Sequence, residues 1–367
     1  MKKTIIVSTQ PLAKDNHSAF VFIIRYLAEH IPNTVLLDDD FDKFRDNDID
    51  NIIIAYGTFY ASFKPIIRFL ERYKDKRFFY IVNEYGLVPN GDVYKFLIKH
   101  NYELIASYDK SCIGAKHWID MHSINLHCFV YQDIKNLPLF EQRRKNLIYW
   151  GRFREDRINY FKQYFNDIDI STSAKNISLF QNLNQNINII STVGFNEFSL
   201  LTNYKYTLYI EDKYTHNHYC YLATRFYESL AMKLIIFFDK NLKHTIELSG
   251  YKIPEFYFVG SRKEIGEKIK QIELQPLKYM SDVETLRQQA IQEQKNILSR
   301  FKSILEARSI TSDHLCSNCN INAYYLTNCN SCNKVICSSC LEIHKKFYCK
   351  ECYNNLNLNQ VKQTTFD

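Results

Sequence analysis

The sequence predicts an α/β protein with two doubly wound parallel-sheet domains and a small cysteine-rich module at its C-terminus. Three observations carry this. Short apolar segments alternate with amphipathic ones through the first third of the chain. The alternation restarts at Leu147 after a polar stretch. Eight of the 11 cysteines fall in the last 52 residues. Strand–helix alternation is the signature of parallel sheets covered on both faces, whose strands read as near-continuous apolar runs. A chain of 367 residues with 46% hydrophobic content holds two ordinary domains and a small one, and is too apolar to be disordered.

In chain order, strands are predicted over 4–8, 34–37, 51–56, 78–83, 102–107 and 126–131, with helices over 18–30, 63–73 and 93–100. The apolar run at 4–8 follows two lysines but is shorter than the roughly 7–15 residues of a signal-peptide core. No stretch approaches the roughly 20 apolar residues of a membrane span. The expectation is a soluble, cytoplasmic protein. The loop after the first strand lacks the G-x-G-x-x-G fingerprint, and His17 within it is a weak candidate for chemistry. Where the 78–83 strand ends, Glu84 and Asp92 are candidate general bases, since carboxylates at the mouth of a parallel strand are placed for proton abstraction. The plainer reading of Asp92 is a helix N-cap.

Residues 132–146 are polar and lack periodicity, and are read as an interdomain linker. After the strand at 147–150 come Gly151, Arg152, Arg154 and Arg157. A glycine there lets backbone approach a ligand closely, and three arginines within six residues suit a diphosphate through bidentate guanidinium contacts. Further strands are expected at 169–171 and 187–192. The stretch 206–239 then reads strand, loop, helix, strand, with Thr224 as the helix cap, Arg225 in its first turn and Glu228 one turn on. Helix N-termini at the carboxyl ends of parallel strands receive phosphates, and an acid one turn in is placed for ribose hydroxyls. The alternative is a helix-surface Arg and Glu. Charge agrees with an anionic ligand here: residues 1–140 are net zero, 141–310 net +6 and 311–367 net +1. That excess is too small to indicate nucleic-acid binding on its own.

A strand running into Gly-Arg, followed by a helix that carries an acid into a buried strand, resembles the C-terminal half of two-Rossmann (GT-B) nucleotide-sugar glycosyltransferases. Their E-A-L-A-x-G-x-P-V-like segment is met by Glu228-Ser229-Leu230-Ala231-Met232-Lys233-Leu234-Ile235-Ile236. The Glu, Leu and second Ala match; Lys233 stands for the usual Gly and Ile235 for the usual Pro, and the upstream Glu of retaining families has no counterpart. The stretch YWGRFREDRINYF is similar to phage-encoded glycosyltransferases. The resemblance implies two Rossmann-like domains facing a cleft, an acceptor domain over 1–135 and a nucleotide-sugar domain over 146–282. A long amphipathic helix over 283–310 would return to the first domain. It further implies a UDP-sugar donor and, for a viral enzyme, the host cytoplasm. The acceptor would be a hydroxymethylated base of viral DNA. A surface glycan or lipid-linked sugar is the alternative acceptor, and a non-catalytic scaffold with a protein-binding module is a reading of another class.

The cysteines of residues 313–355 form four C-x-x-C pairs: Cys316/Cys319, Cys329/Cys332, Cys337/Cys340 and Cys349/Cys352. Two residues between thiolates place both sulfurs on one tetrahedral metal, so the four pairs predict two structural Zn2+ sites. A disulfide framework would require an oxidising compartment. The spacing resembles interleaved FYVE and RING modules, in which the first and third pairs share one zinc; sequential pairing is the other arrangement. Two Zn2+ on eight thiolates would take the module from +1 to about −3, which favours a structural or protein-binding role over a grip on phosphates. Cys112, Cys128 and Cys220 are isolated and read as core residues.

Overall fold

The computed structural model describes residues 2–8, 19–56, 64–82, 96, 103–107, 117–120, 134, 137–183, 186–191, 198–211, 222–306, 326–328, 335–337, 341–343 and 347–349. The chain divides into two compact units, one of Met1–Asn16, Ile24–Asn125 and Ile297–Asp367, the other of His17–Ile23 and Leu126–Asn296.

The elements of the N-terminal third are β1 (Lys3–Ser8), α1 (Ala19–His30), β2 (Thr34–Leu37), β3 (Ile49–Tyr56), α2 (Lys64–Arg72), β4 (Arg77–Val82), β5 (Glu103–Ser107) and β6 (His117–Asp120). Their strands form a parallel sheet in the order β2-β1-β3-β4-β5-β6. Alternate residues of the apolar strands go to opposite faces: Ile5, Val7, Ile52, Ile54, Phe78 and Tyr80 pack with Ile66, Phe69 and Leu70 of α2 in one core. Strand β6 was not predicted; its four residues begin and end in polar side chains and leave little apolar signal. The strand expected at 126–131, most of the helix expected at 93–100, Glu84, Asp92 and His17 lie outside the described residues.

The second unit runs β7 (Arg144–Trp150), α3 (Ile158–Tyr164), β8 (Ile168–Ser171), α4 (Ala174–Gln181), β9 (Ile187–Ser191), α5 (Phe198–Leu201), β10 (Tyr204–Tyr209), α6 (Thr224–Ala231), β11 (Ile235–Asp239), α7 (Lys243–Leu248), β12 (Phe258–Val259) and α8 (Arg262–Leu274). Its parallel sheet has the order β12-β11-β10-β7-β8-β9. The chain lays β8 and β9 to one side of β7, then crosses and continues with β10 on the other side. The boundary between β7 and β10 is therefore a topological switch point, where the loops leaving neighbouring strands part to opposite faces and open a crevice. Strand β10 is buried along its whole length.

The stretch 132–146 is not all linker. Strand β7 already begins at Arg144, Phe140 is buried against Tyr206, and Arg143 is buried too. Arg143 Nη1 donates to the carbonyls of Met232 (2.8 Å) and Lys233 (3.3 Å) at the end of α6. That helix closes as a Schellman motif: the N–H of Leu234 reaches the Ser229 carbonyl at 2.9 Å and that of Lys233 the Leu230 carbonyl at 3.1 Å. Lys233 takes the left-handed conformation, φ 54°, that the motif demands. The backbone turn usual for Gly is thus kept with a lysine, at the expense of about 1 kcal/mol of strain.

Helix α9 (Pro276–Glu306) starts earlier than the predicted 283, and its residues from Ile297 onward belong to the first unit. There Phe301 and Leu305 are buried, and Asn51 and Arg77 donate to the Leu305 carbonyl at 3.1 and 3.2 Å. Near the C-terminus, β13 (Leu326–Asn328) pairs antiparallel with β14 (Val335–Cys337), and β15 (Leu341–Ile343) with β16 (Phe347–Cys349). Of the eight predicted ligands only Cys337 and Cys349 fall in described backbone; Cys316, Cys319, Cys329, Cys332, Cys340 and Cys352 lie outside it. Among the described residues, no group of His, Cys, Asp and Glu could hold a metal ion, and no helix is long and apolar enough to cross a membrane.

At the amino end of β10, buried Lys205 binds Glu273 of α8 at 3.0 Å, and Lys145 reaches the same carboxylate at 2.8 Å. Burial raises the Glu273 pKa, but hydrogen bonds from Lys145, Tyr206 and Lys205 outweigh it and bring it down to about 2. A carboxyl with a depressed folded pKa stabilises above its unfolded value and loses that contribution as pH falls. Glu273→Gln should therefore lower unfolding free energy at pH 7 by roughly 2–3 kcal/mol, with the gap to wild type narrowing between about pH 4.5 and 2. Urea titrations across that range measure it.

Candidate functional site

At the switch point three segments deliver charged side chains to one place. Strand β7 ends in Tyr149 and Trp150, followed by Gly151 and a loop carrying Arg152 and Arg154; a 3₁₀ turn, Glu155–Arg157, then opens α3. Strand β10 is followed by Ile210 and Glu211. Helix α6 brings Arg225 and Glu228, one turn apart on one face.

Glu211 is 3% exposed and divides its carboxylate between two cations. Arg157 Nη2 donates to Oε2 and Arg225 Nη2 to Oε1, each at 2.7 Å. The Tyr149 hydroxyl accepts from Arg225 Nη1 at 2.8 Å and Arg157 Nη1 at 3.3 Å. Arg225 also donates to the carbonyls of Trp150 (3.2 Å) and Ile210 (3.0 Å). Its Nη1 and Nη2 are thereby engaged with four protein acceptors. Burial opposes the charge on Arg225, but Tyr149 and Glu211 outweigh it and hold its pKa above the ordinary value. Burial likewise raises the Tyr149 hydroxyl, and Arg225 and Arg157 reverse this, leaving it below its usual value.

Gly151 has φ 151°, and a Cβ there would lie 2.8 Å from Arg225 Nη1 and 3.2 Å from the Tyr149 hydroxyl. The glycine thus admits the arginine, a close approach by protein where the sequence suggested one by ligand. Thr224 is the first helical residue and not the cap: Ala223 occupies the cap position, makes no side-chain cap bond, and donates its own N–H to the Tyr209 hydroxyl at 2.7 Å. The first turn of α6 accordingly has no side-chain acceptor from its cap. Arg152 and Arg154 are exposed, whereas Arg157 is buried.

Glu228 is 2% exposed. Trp150 Nε1 donates to its Oε2 at 2.9 Å, while Oε1 is buried without a hydrogen-bond partner among the described residues. Burial, only partly offset by the Trp150 bond and the Arg225 charge, pushes its pKa up to about 7. Sequence spacing singled out Arg157, Arg225 and Glu228, which the structure brings together. It missed Glu211, Tyr149 and Trp150, whose only signal was their place at strand ends.

No protein-family model and no characterised protein sequence matches the chain. Solved structures do match in fold. A T4 phage BGT structure with UDP and Mn2+ superposes with a TM-score of 0.60 at 13% identity, covering 83% of this chain and all of that one. A structure of the DNA-modifying enzyme beta-glucosyltransferase gives 0.56 at 14% identity, with 83% and 96% covered. An alpha-glucosyltransferase with UDP and a 13-mer DNA containing a HMU base gives 0.51 at 12% identity, with 82% and 100% covered. At such identities the likeness is one of fold: this chain shares the two-sheet α/β architecture of phage glucosyltransferases.

Because the folded pKa of Glu228 is raised, the folded state holds its proton more tightly than the unfolded chain. Stability is then lost as pH rises from about 4.5 to 7, by up to roughly 3 kcal/mol. Glu228→Gln should remove that part of the pH dependence, which urea unfolding at pH 5 and pH 8 will reveal.

Proposed function

We propose that the protein is a glycosyltransferase that transfers a sugar from a UDP-sugar to a hydroxymethylated base of viral DNA. The observation that carries the reading is the Arg157–Glu211–Arg225 cluster beside Glu228, whose Oε1 has no hydrogen-bond partner among the described residues, at the switch point of a parallel sheet. Ligands of open α/β sheets bind there, outside the carboxyl ends of the strands. The shared fold supports it, since neighbours of that fold bind UDP, and one of them binds DNA with a HMU base.

In this reading residues 1–135 receive the acceptor and 146–282 the donor. Glu228 Oε1 accepts hydrogen bonds from the ribose hydroxyls. The diphosphate sits over Gly151 and the uncapped first turn at Thr224, within the field of Arg157 and Arg225 and in reach of the exposed Arg152 and Arg154. Positive charge fixed in a dry environment stabilises the departing diphosphate, where negative charge grows in the transition state. Glu84 or Asp92 takes the proton of the acceptor hydroxyl. The host cytoplasm supplies both substrates.

The 313–355 module binds two Zn2+ through its eight cysteines and serves as a structural or partner-binding appendage. Two described hairpins support this: Cys329 and Cys332 fall in the connection between antiparallel β13 and β14, and Cys337 and Cys349 end β14 and β16. A two-stranded hairpin is marginal in water, and a metal compensates for the missing core. Elemental analysis of the purified full-length chain should return two zinc ions per chain, and replacing Cys337 and Cys349 with Ser should lose both if the pairs interleave and one if they pair in sequence, either result tying the metal to the module.

The activity test is mass spectrometry of hydroxymethylated DNA, unmodified DNA and glycan acceptors after incubation with UDP-sugars. The expected product is hydroxymethylated DNA heavier by one hexose. Transfer to glycan alone redirects the acceptor, and absence of transfer and of donor hydrolysis favours the scaffold. Calorimetry adds the site: Arg225→Ala and Glu228→Ala should each weaken UDP at least about tenfold.

A further inference from the structure

We propose that Glu211 is the positioning residue of the donor site, the group that fixes Arg157 and Arg225 in the arrangement the diphosphate requires. The inference rests on the UDP-sugar reading above. Two guanidiniums close to one another repel, and in a buried setting that repulsion is weakly screened. Glu211 offsets it by giving one oxygen to each arginine at 2.7 Å. The three partners come from separate elements: Arg157 from the turn that opens α3, Arg225 from the first turn of α6 and Glu211 from just beyond β10. One carboxylate therefore ties together the two loops that flank the switch point, including the segment with Arg152 and Arg154.

The side chains of Arg157, Arg225 and Glu211 are 6%, 13% and 3% exposed, so the three charges act on one another with little screening by solvent. Glu211 itself directs its oxygens at the arginines and is not placed to touch substrate, which separates its role from that of Glu228.

The test compares UDP with uridine, which lacks the phosphates, on the full-length chain. In Glu211→Gln, UDP should bind at least about tenfold more weakly, with uridine affinity, read by NMR titration, within twofold of wild type. Charge alone makes the opposite forecast, because the Gln variant is more positive and would hold UDP more tightly. Equal or tighter UDP binding, or equal loss of UDP and uridine, would overturn the positioning role. Should the Gln variant fail to fold, Glu211→Asp keeps the charge but shortens its reach by one methylene; it should weaken UDP and spare uridine, and the same two contrary results count against the proposal. If the wild-type chain binds no UDP, it is the donor reading that falls, and the inference with it.

Discussion

A carboxylate shared by two buried guanidiniums is the constraint around which the second unit is arranged. Arg157 and Arg225 stay charged at any working pH, so without Glu211 their buried charges would be costly to hold side by side. The strands supply what the cluster needs. Register pairs Tyr206 and Thr207 of β10 with Leu147 and Ile148 of β7, so both strands end at the same level and their following residues meet. Tyr149 adds a hydroxyl acceptor shared by both cations, and the absent side chain at Gly151 leaves room for Arg225 to lie against it. Each component is ordinary; their coincidence requires the crossover that makes β7 and β10 neighbours.

Much of this fold was readable because buried parallel strands are locally apolar. The Ile52-Ile53-Ile54 and Ile235-Ile236-Phe237-Phe238 runs announce themselves without reference to anything distant. Strand β6 lacks such a run and was missed. Phe140 and Arg143 were hidden by their polar neighbours, and the burial of an arginine that closes a helix end 89 residues away is not a local property. The site divides in the same manner. Arg225 and Glu228 stand out by spacing on one helix, whereas Tyr149 lies 76 residues from Arg225 and Glu211 lies 54 from Arg157. Lys233 teaches a different lesson. It stands where the resembled segment has Gly, and the Schellman hydrogen bonds hold it in the left-handed backbone all the same, which the residue type alone does not announce.

The environment of Glu228 is costly. Burial raises its proton affinity, the Trp150 indole satisfies one oxygen only, and the second has no partner among the described residues. Binding sites commonly hold such unsatisfied groups, because an acceptor already satisfied by the protein has less to offer a ligand. Glu273 of α8 shows the contrast within the same unit: Lys145, Lys205 and Tyr206 all converge on its carboxylate.

The depth of Arg157 and Arg225, set against the exposure of Arg152 and Arg154, divides the site by its response to salt. Ions in solution screen surface charges over a Debye length of about 8 Å at physiological ionic strength, but act far less on charges enclosed by protein. In the proposed donor site the exposed pair would govern how fast an anion is drawn in and would fade as salt rises, while the enclosed pair would govern how firmly it is kept. Capture and retention would thus fall to different arginines.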